Sequence, residues 1–120
     1  MSYFFDTYAL IEVIKGNENY LEYAELTFIT TTLNFTEFYF YLLSSLDEKK
    51  ADETLDKFNF SFLEINKDVA KEAAKFRKSN YKRELSYADC IGYILAKNMK
   101  FKFLTGDNFF KNVDNVEFVK

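Results

Sequence analysis

Four acidic residues stand where a carboxylate can do chemistry as readily as it can cap a helix. Asp6 follows the apolar run Ser2–Phe5. Glu37 comes three residues after Asn34, and Asp89 three residues after Ser86. Asp107 closes the turn Thr105-Gly106-Asp107. The sequence has no histidine and one cysteine, Cys90, so a metal site here must be built from oxygen ligands. That excludes the usual structural zinc sites and points to Mg²⁺, Mn²⁺ or Ca²⁺. Hard cations held by carboxylates activate a water and stabilise charge on phosphoryl oxygens, which is what phosphodiester hydrolysis requires. Each acid also has a plain structural reading. Asp6 and Asp107 suit N-caps, and Glu37 and Asp89 suit capping-box partners. A cap needs no particular neighbours, whereas these acids occur in distinctive local sequences. Both readings stay open on the residues alone.

The elements that must position them can be read in order. Ser2–Phe5 is a short strand. Thr7–Lys15 follows as a helix with Leu10, Val13 and Ile14 at helical spacing, closed by Gly16 at the C′ position. Glu18–Leu26 reads as a short helix and the β-branched stretch Thr27–Leu33 as a strand. A helix capped by Asn34 runs to about Leu46 and is apolar all round from Phe38 to Leu43. A charged helix (Asp47–Phe58), a strand (Phe60–Ile65) and a helix (Asp68–Ser79) come next. The last of these places Val69, Ala70, Ala73, Ala74 and Phe76 inside. Ser86 then opens a helix in which Tyr87, Ile91, Ile94 and Leu95 recur on one stripe. Asp89 shares another stripe with Gly92, Tyr93 and Ala96. A strand over Phe101–Leu104, a short helix from Asn108 and a strand over Val116–Val119 finish the chain.

This alternation predicts a three-layer α/β/α fold with a mostly parallel central sheet of about five strands. Asp6, Glu37 and Asp107 all follow strands, so a parallel sheet brings them to one edge. Ligands on such sheets bind outside the carboxyl ends of the strands. The length of 120 residues suits a single domain spanning 1–120. An apolar share of 48% argues against disorder, and a net charge of −3 argues against nonspecific coating of nucleic acid. A single cysteine cannot make an internal disulfide, so a packed thiol and a reducing cytoplasm fit. The start Met1-Ser-Tyr-Phe-Phe-Asp6 does not read as a signal peptide, and no apolar run is long enough to span a bilayer.

The stretches Phe5-Asp-Thr-Tyr-Ala-Leu-Ile11, Asn34-Phe-Thr-Glu37, Leu85-Ser-Tyr-Ala-Asp-Cys-Ile91 and Leu104-Thr-Gly-Asp-Asn-Phe109 resemble the four acidic motifs of PIN-domain nucleases. The likeness is strongest to the small VapC-type toxin ribonucleases, and it covers essentially the whole chain in order. The resemblance implies that Asp6, Glu37, Asp89 and Asp107 bind one or two Mg²⁺ or Mn²⁺ ions. Asp6 and Asp89 would be the central ligands. Glu37 and Asp107 would complete a second position or act through water. Thr7 and Thr105 stand where the family often has a hydroxyl residue. The implied reaction is endonucleolytic cleavage of RNA to a 5′-phosphate and a 3′-hydroxyl. Gly106 departs from the pattern, because such toxins often carry arginine before the last acid.

Substrate binding needs positive charge. From Lys67 to Glu84 seven basic residues stand against three acids. Arg77, Lys78, Lys82 and Arg83 lead into the Asp89 helix, and Tyr81 adds a stackable ring, so these five are the candidate RNA contacts. The expected partners are RNA, a small antitoxin protein and a second copy of the chain, with no membrane. The helix Phe35–Leu46 is the expected interface, with Tyr39 and Tyr41 as contacts. Two other readings compete. One is a PIN-like module that binds RNA or a partner without cleaving. The other is a receiver-type regulatory domain, a fold with paired acids after the first strand and a lysine after the last sheet strand. Phe4 and Phe5, not an acid, precede Asp6, and the last predicted strand runs to the chain end.

Overall fold

Two adjacent phenylalanines on the innermost strand define the two cores. The computed structural model describes residues 2–120. Strand β1 (Tyr3–Phe5) carries Phe4 and Phe5, both fully buried. Successive residues of a strand point to opposite faces of its sheet. Phe5 accordingly packs with Leu10, Val13, Tyr20, Phe28, Phe38 and Leu42. Phe4 packs on the other side with Val69, Ala73, Tyr93, Leu95, Phe103 and Phe110.

The remaining elements are α1 (Thr7–Ile14), β2 (Phe28–Thr30), α2 (Thr32–Leu43), α3 (Glu48–Leu55), β3 (Phe60–Phe62), α4 (Lys67–Ser79), α5 (Tyr87–Met99), β4 (Lys102–Thr105) and β5 (Val116–Phe118). The strands lie in the order β3-β2-β1-β4-β5 and every pairing is parallel. Helices α1, α2 and α3 cover one face, and α4 and α5 cover the other. The expected α/β/α architecture with five parallel strands is therefore present. The chain steps outward from β1 in one direction through β2 and β3, then returns to add β4 and β5 on the opposite side. The crevice between β1 and β4 is the position where such sheets bind ligands.

Several local expectations need correction. The strand predicted over Thr27–Leu33 stops at Thr30, because the Thr31 hydroxyl accepts from the Asn34 amide and starts α2. Asn34 is thus not a cap but a fully buried residue inside the first turn. α2 ends at Leu43 rather than Leu46, where the Ser44 hydroxyl turns back to donate to the Phe40 carbonyl. Glu18–Leu26 becomes a 3₁₀ turn over Glu18–Tyr23. In α4, Ala70 and Ala74 face solvent, and burial falls on Val69 and Ala73. α2 is not fully enclosed: Phe40 is 73% exposed, and Leu33 and Leu43 are also exposed. Tyr39 and Tyr41 are half-buried, and the Tyr39 hydroxyl donates to Asp52 on α3.

On α5, Gly92, Tyr93 and Ala96 are buried towards the sheet, while of the apolar stripe Leu95 is buried, Ile91 and Ile94 are partly buried and Tyr87 is 63% exposed. The physical reason is Gly92. A Cβ there would lie 2.6 Å from Cε1 of Phe4 and 3.1 Å from Phe103. Only glycine lets the helix approach this closely, and that approach turns Asp89, one turn earlier on the same stripe, towards the sheet edge. Gly92→Ala gains helix propensity of about 1 kcal/mol at most. Overpacking against two fully buried rings costs about 1–3 kcal/mol. The variant is therefore expected to lower the urea midpoint at unchanged slope, and an equal or higher midpoint would contradict this packing account.

Candidate metal centre

Asp6 sits directly after β1, at the carboxyl edge of the sheet. Its amide donates to the Leu104 carbonyl at 3.1 Å, which continues the β1–β4 ladder past the strand. The Thr105 hydroxyl donates to Asp6 Oδ2 at 2.8 Å and accepts from the Asp107 amide at 3.1 Å. Asp6 is 2% exposed, and its other oxygen, Oδ1, is buried without any hydrogen-bond partner. Asp6 occupies the N-cap position of α1, yet its side chain makes no capping bond. The plain capping reading therefore fails for this acid.

The other acids are more mixed. Asp89 forms the expected capping box: its Oδ2 accepts from the Ser86 amide at 2.9 Å, and its own amide donates to Ser86 Oγ. Asp107 caps the 3₁₀ turn Asn108–Phe110, where its Oδ1 accepts from the Phe109 amide at 3.0 Å. Glu37 is exposed on α2 and accepts from the Thr7 hydroxyl at 2.6 Å. A buried chain stands behind that bond. Thr31 Oγ1 donates to Asn34 Oδ1 at 2.7 Å, and Asn34 Nδ2 donates to Thr7 Oγ1 at 3.1 Å. Sequence reasoning missed this role for Thr31 and Asn34. The one local signal is a polar residue one turn ahead of Glu37, which reads equally well as a cap.

Burial pushes the Asp6 carboxyl well above the usual carboxylate range, and the neighbouring Asp89 charge adds to it, with a smaller push from Asp107. Burial also raises Asp89, and the Asp107 charge acts in the same direction. The geometry thus brings Asp6 and Asp89 together, keeps Asp107 within electrostatic reach and leaves Glu37 at the rim. No set of three or more Asp, Glu, Cys or His side chains positioned to enclose a cation occurs among the described residues. A hydrated ion held by one or two carboxylates is the arrangement that this geometry fits, and Mg²⁺ is commonly bound in that way. The partnerless Asp6 Oδ1 and the all-oxygen donor set agree with it. Cys90 is fully buried and its thiol is pushed up to about 11, first by burial and then by Asp89, so it is a packing residue.

The basic residues gather around the start of α5. Arg77 donates through Nε to the Leu85 carbonyl at 2.9 Å, and its guanidinium lies 4.3 Å from the Tyr87 ring centroid. Arg83 lies 5.3 Å from the ring of Phe109, the residue whose amide Asp107 caps. Lys82 stands over Tyr81, which is 67% exposed, and Lys78 is exposed. Between α2 and α5 runs an open cleft of about 330 Å³, lined by residues that include Leu33, Glu37, Arg77 and Tyr87. Gly106 is closed to any side chain, since a Cβ there would lie 2.3 Å from the Tyr8 ring and 2.3 Å from the Val119 carbonyl oxygen.

The family model for the PIN domain matches residues 3–116. The chain belongs to the PIN-domain family. Its PIN fold also superposes on solved structures. One is a toxin–antitoxin complex from Klebsiella pneumoniae, with a TM-score of 0.71 and 21% identity over 98% of this chain and 96% of that one. Another is VapBC2 from Rickettsia felis bound to a DNA fragment from their promoter, with a TM-score of 0.77 and 17% identity over the full length of both chains. At these identities the likeness establishes the fold. No curated protein sequence matches the chain.

Because Asp6 has a raised carboxyl in the folded state, its contribution to stability is fully present below the unfolded carboxylate range. It is lost as pH rises through the folded value. Asp6→Asn carries no such titration. In chelator, its melting temperature is expected to exceed the parent's by a margin that widens as pH rises from acid to neutral, reaching roughly 3–6 °C for about 1 kcal/mol. A margin that is constant or reversed would mean that Asp6 is a stabilising charge. Asn34→Leu removes the link between two hydroxyls and is expected to cost about 1–3 kcal/mol in chemical denaturation. An unchanged midpoint would remove the buried chain from the account.

Proposed function

We propose that this PIN domain is a divalent-cation-dependent endoribonuclease, the toxin of a toxin–antitoxin pair, acting as a single domain over residues 1–120. The observation that carries the reading is Asp6 Oδ1, a buried carboxylate oxygen without a partner at the ligand-binding crevice of the sheet. A buried polar atom of that kind is expensive unless something binds it. Family membership supports nuclease chemistry, and the two toxin–antitoxin structures support the toxin assignment.

Asp6 and Asp89 would hold Mg²⁺ or Mn²⁺ directly, with Glu37 and Asp107 reaching it through water. When bound, the ion supplies an acidified water and neutralises charge on the phosphoryl oxygens. The chain's own residues do the positioning. Thr105 fixes one oxygen of Asp6 and leaves the other open. Ser86 holds Asp89 Oδ2 through the capping box. Thr7, supported by Asn34, aims Glu37. Arg77 and Arg83 flank the start of α5, and Lys78, Tyr81 and Lys82 extend the basic surface. These five residues would attract and seat RNA phosphates. The products would carry a 5′-phosphate and a 3′-hydroxyl.

The exposed apolar residues Phe40 and Leu43 of α2 suit an interface with a small antitoxin or with a second copy in a homodimer. A cytoplasmic setting agrees with the single buried thiol. No helix among the described residues is long and apolar enough to cross a membrane.

The test is cleavage of single-stranded RNA with Mn²⁺ and with chelator. The parent is expected to cut only with the cation. Asp6→Asn or Asp89→Asn should slow cutting by about 100-fold or more, at unchanged circular dichroism. An Asp89→Asn variant that cuts near the parent rate would sink the site assignment. RNA binding by the parent without any cleavage would favour a non-cleaving module.

A further inference from the structure

The cleft between α2 and α5 has a property that the acids do not explain. Tyr87 is 63% exposed and Leu33 is 40% exposed, and both line it. Tyr87 is the first residue of α5, and the capping box of Ser86 and Asp89 fixes that helix start, so the ring stands on a rigid base. One of its faces is covered by the Arg77 guanidinium at 4.3 Å. Arg77 is itself held by the Leu85 carbonyl, and no carboxylate pairs with it among the described residues. Its charge is therefore available to the cleft. Ser86, which holds Asp89 through the capping box, lines the same cleft with Glu37, so the cleft adjoins the candidate metal centre.

We infer that Tyr87, backed by Arg77 in a cleft that Leu33 also lines, forms a stacking subsite for an unpaired nucleobase next to the scissile phosphate of a single-stranded RNA. The inference rests on the nuclease reading above and names the form of the substrate. A nucleobase has apolar faces and a polar rim, which suits an exposed ring in a cleft with an aliphatic lining residue. Base–aromatic stacking tolerates any sequence, because every base has a π face. A cation behind the ring adds to the attraction for an anionic strand. A paired base has both faces covered by its neighbours in the duplex, so the subsite selects single strands.

The experiment is binding of a short labelled single-stranded RNA to the full chain in chelator, where no cleavage interferes. Tyr87→Ala should weaken binding about tenfold, and Tyr87→Phe should keep it within about twofold. The protein has no tryptophan, so Tyr87→Trp places a sole indole at the subsite. Its emission should be quenched by the single strand but not by an abasic ribose-phosphate oligomer of equal length. Unchanged affinity in Tyr87→Ala, or equal quenching by the abasic oligomer, would overturn the subsite and leave the cleft to a protein side chain. Tyr87-dependent binding by a parent that never cleaves with Mn²⁺ would support the base subsite while sinking the nuclease reading.

Discussion

The hydroxyl of Thr105 and the carboxylate of Asp6 meet across the ends of β1 and β4, and the rest of the site is arranged around that bond. Taking a carboxylate out of water costs several kcal/mol unless its oxygens are matched. Here one oxygen is matched and the other is not. A second acid, Asp89, raises the cost, since like charges in a low-dielectric site repel. An arrangement of this kind is tolerable with a proton, and it becomes favourable with a cation. The parallel pairing of β1 with β4 holds the Asp6 backbone at the sheet edge, and the Thr105 hydroxyl holds one of its carboxylate oxygens inside.

Two close approaches make room for that arrangement. Gly92 lets α5 settle onto Phe4 and Phe103, and this turns the Asp89 stripe towards the sheet. Gly106 lets Tyr8 and the Val119 carbonyl oxygen close over the turn between Thr105 and Asp107. The second approach accounts for the missing side chain at position 106. No side chain can project from position 106, whereas Arg77 and Arg83 rest on aromatic rings beside the start of α5. The side chains that aim the acids are neutral hydroxyls and an amide, so positioning adds no further charge to a crowded site.

Much of the site was legible in the sequence because strand ends are legible. A run such as Ser2–Phe5 followed by Asp6, or Phe101–Leu104 followed by Thr105, places its polar residue at a sheet edge once alternation has implied parallel strands. The capping box at Ser86 and Asp89 was legible too, since it depends on local spacing alone. What could not be read was set by tertiary contact. The close face of α5 could not be read from hydropathy, which favours Ile91 and Ile94, both only partly buried, whereas the nearest approach to the sheet falls on the small residue Gly92. The role of Asn34 was not legible because its partner Thr7 lies 27 residues earlier in the chain, and a cap is the nearest local explanation. The exposed ring of Tyr87 carried no local signal, because a tyrosine at helical spacing looks the same whether it packs or stands free.

Cation binding at this sheet edge turns on Asp6 Oδ1, the buried oxygen that no protein group satisfies. The direct measurement is anomalous-difference density from crystals of the parent protein grown with Mn²⁺. A peak at about 2.0–2.2 Å from Asp6 Oδ1, with Asp89 as its second protein ligand, is the predicted result. Density for a water alone on that oxygen at saturating Mn²⁺, or a manganese peak bound only to surface carboxylates away from Asp6, would contradict it.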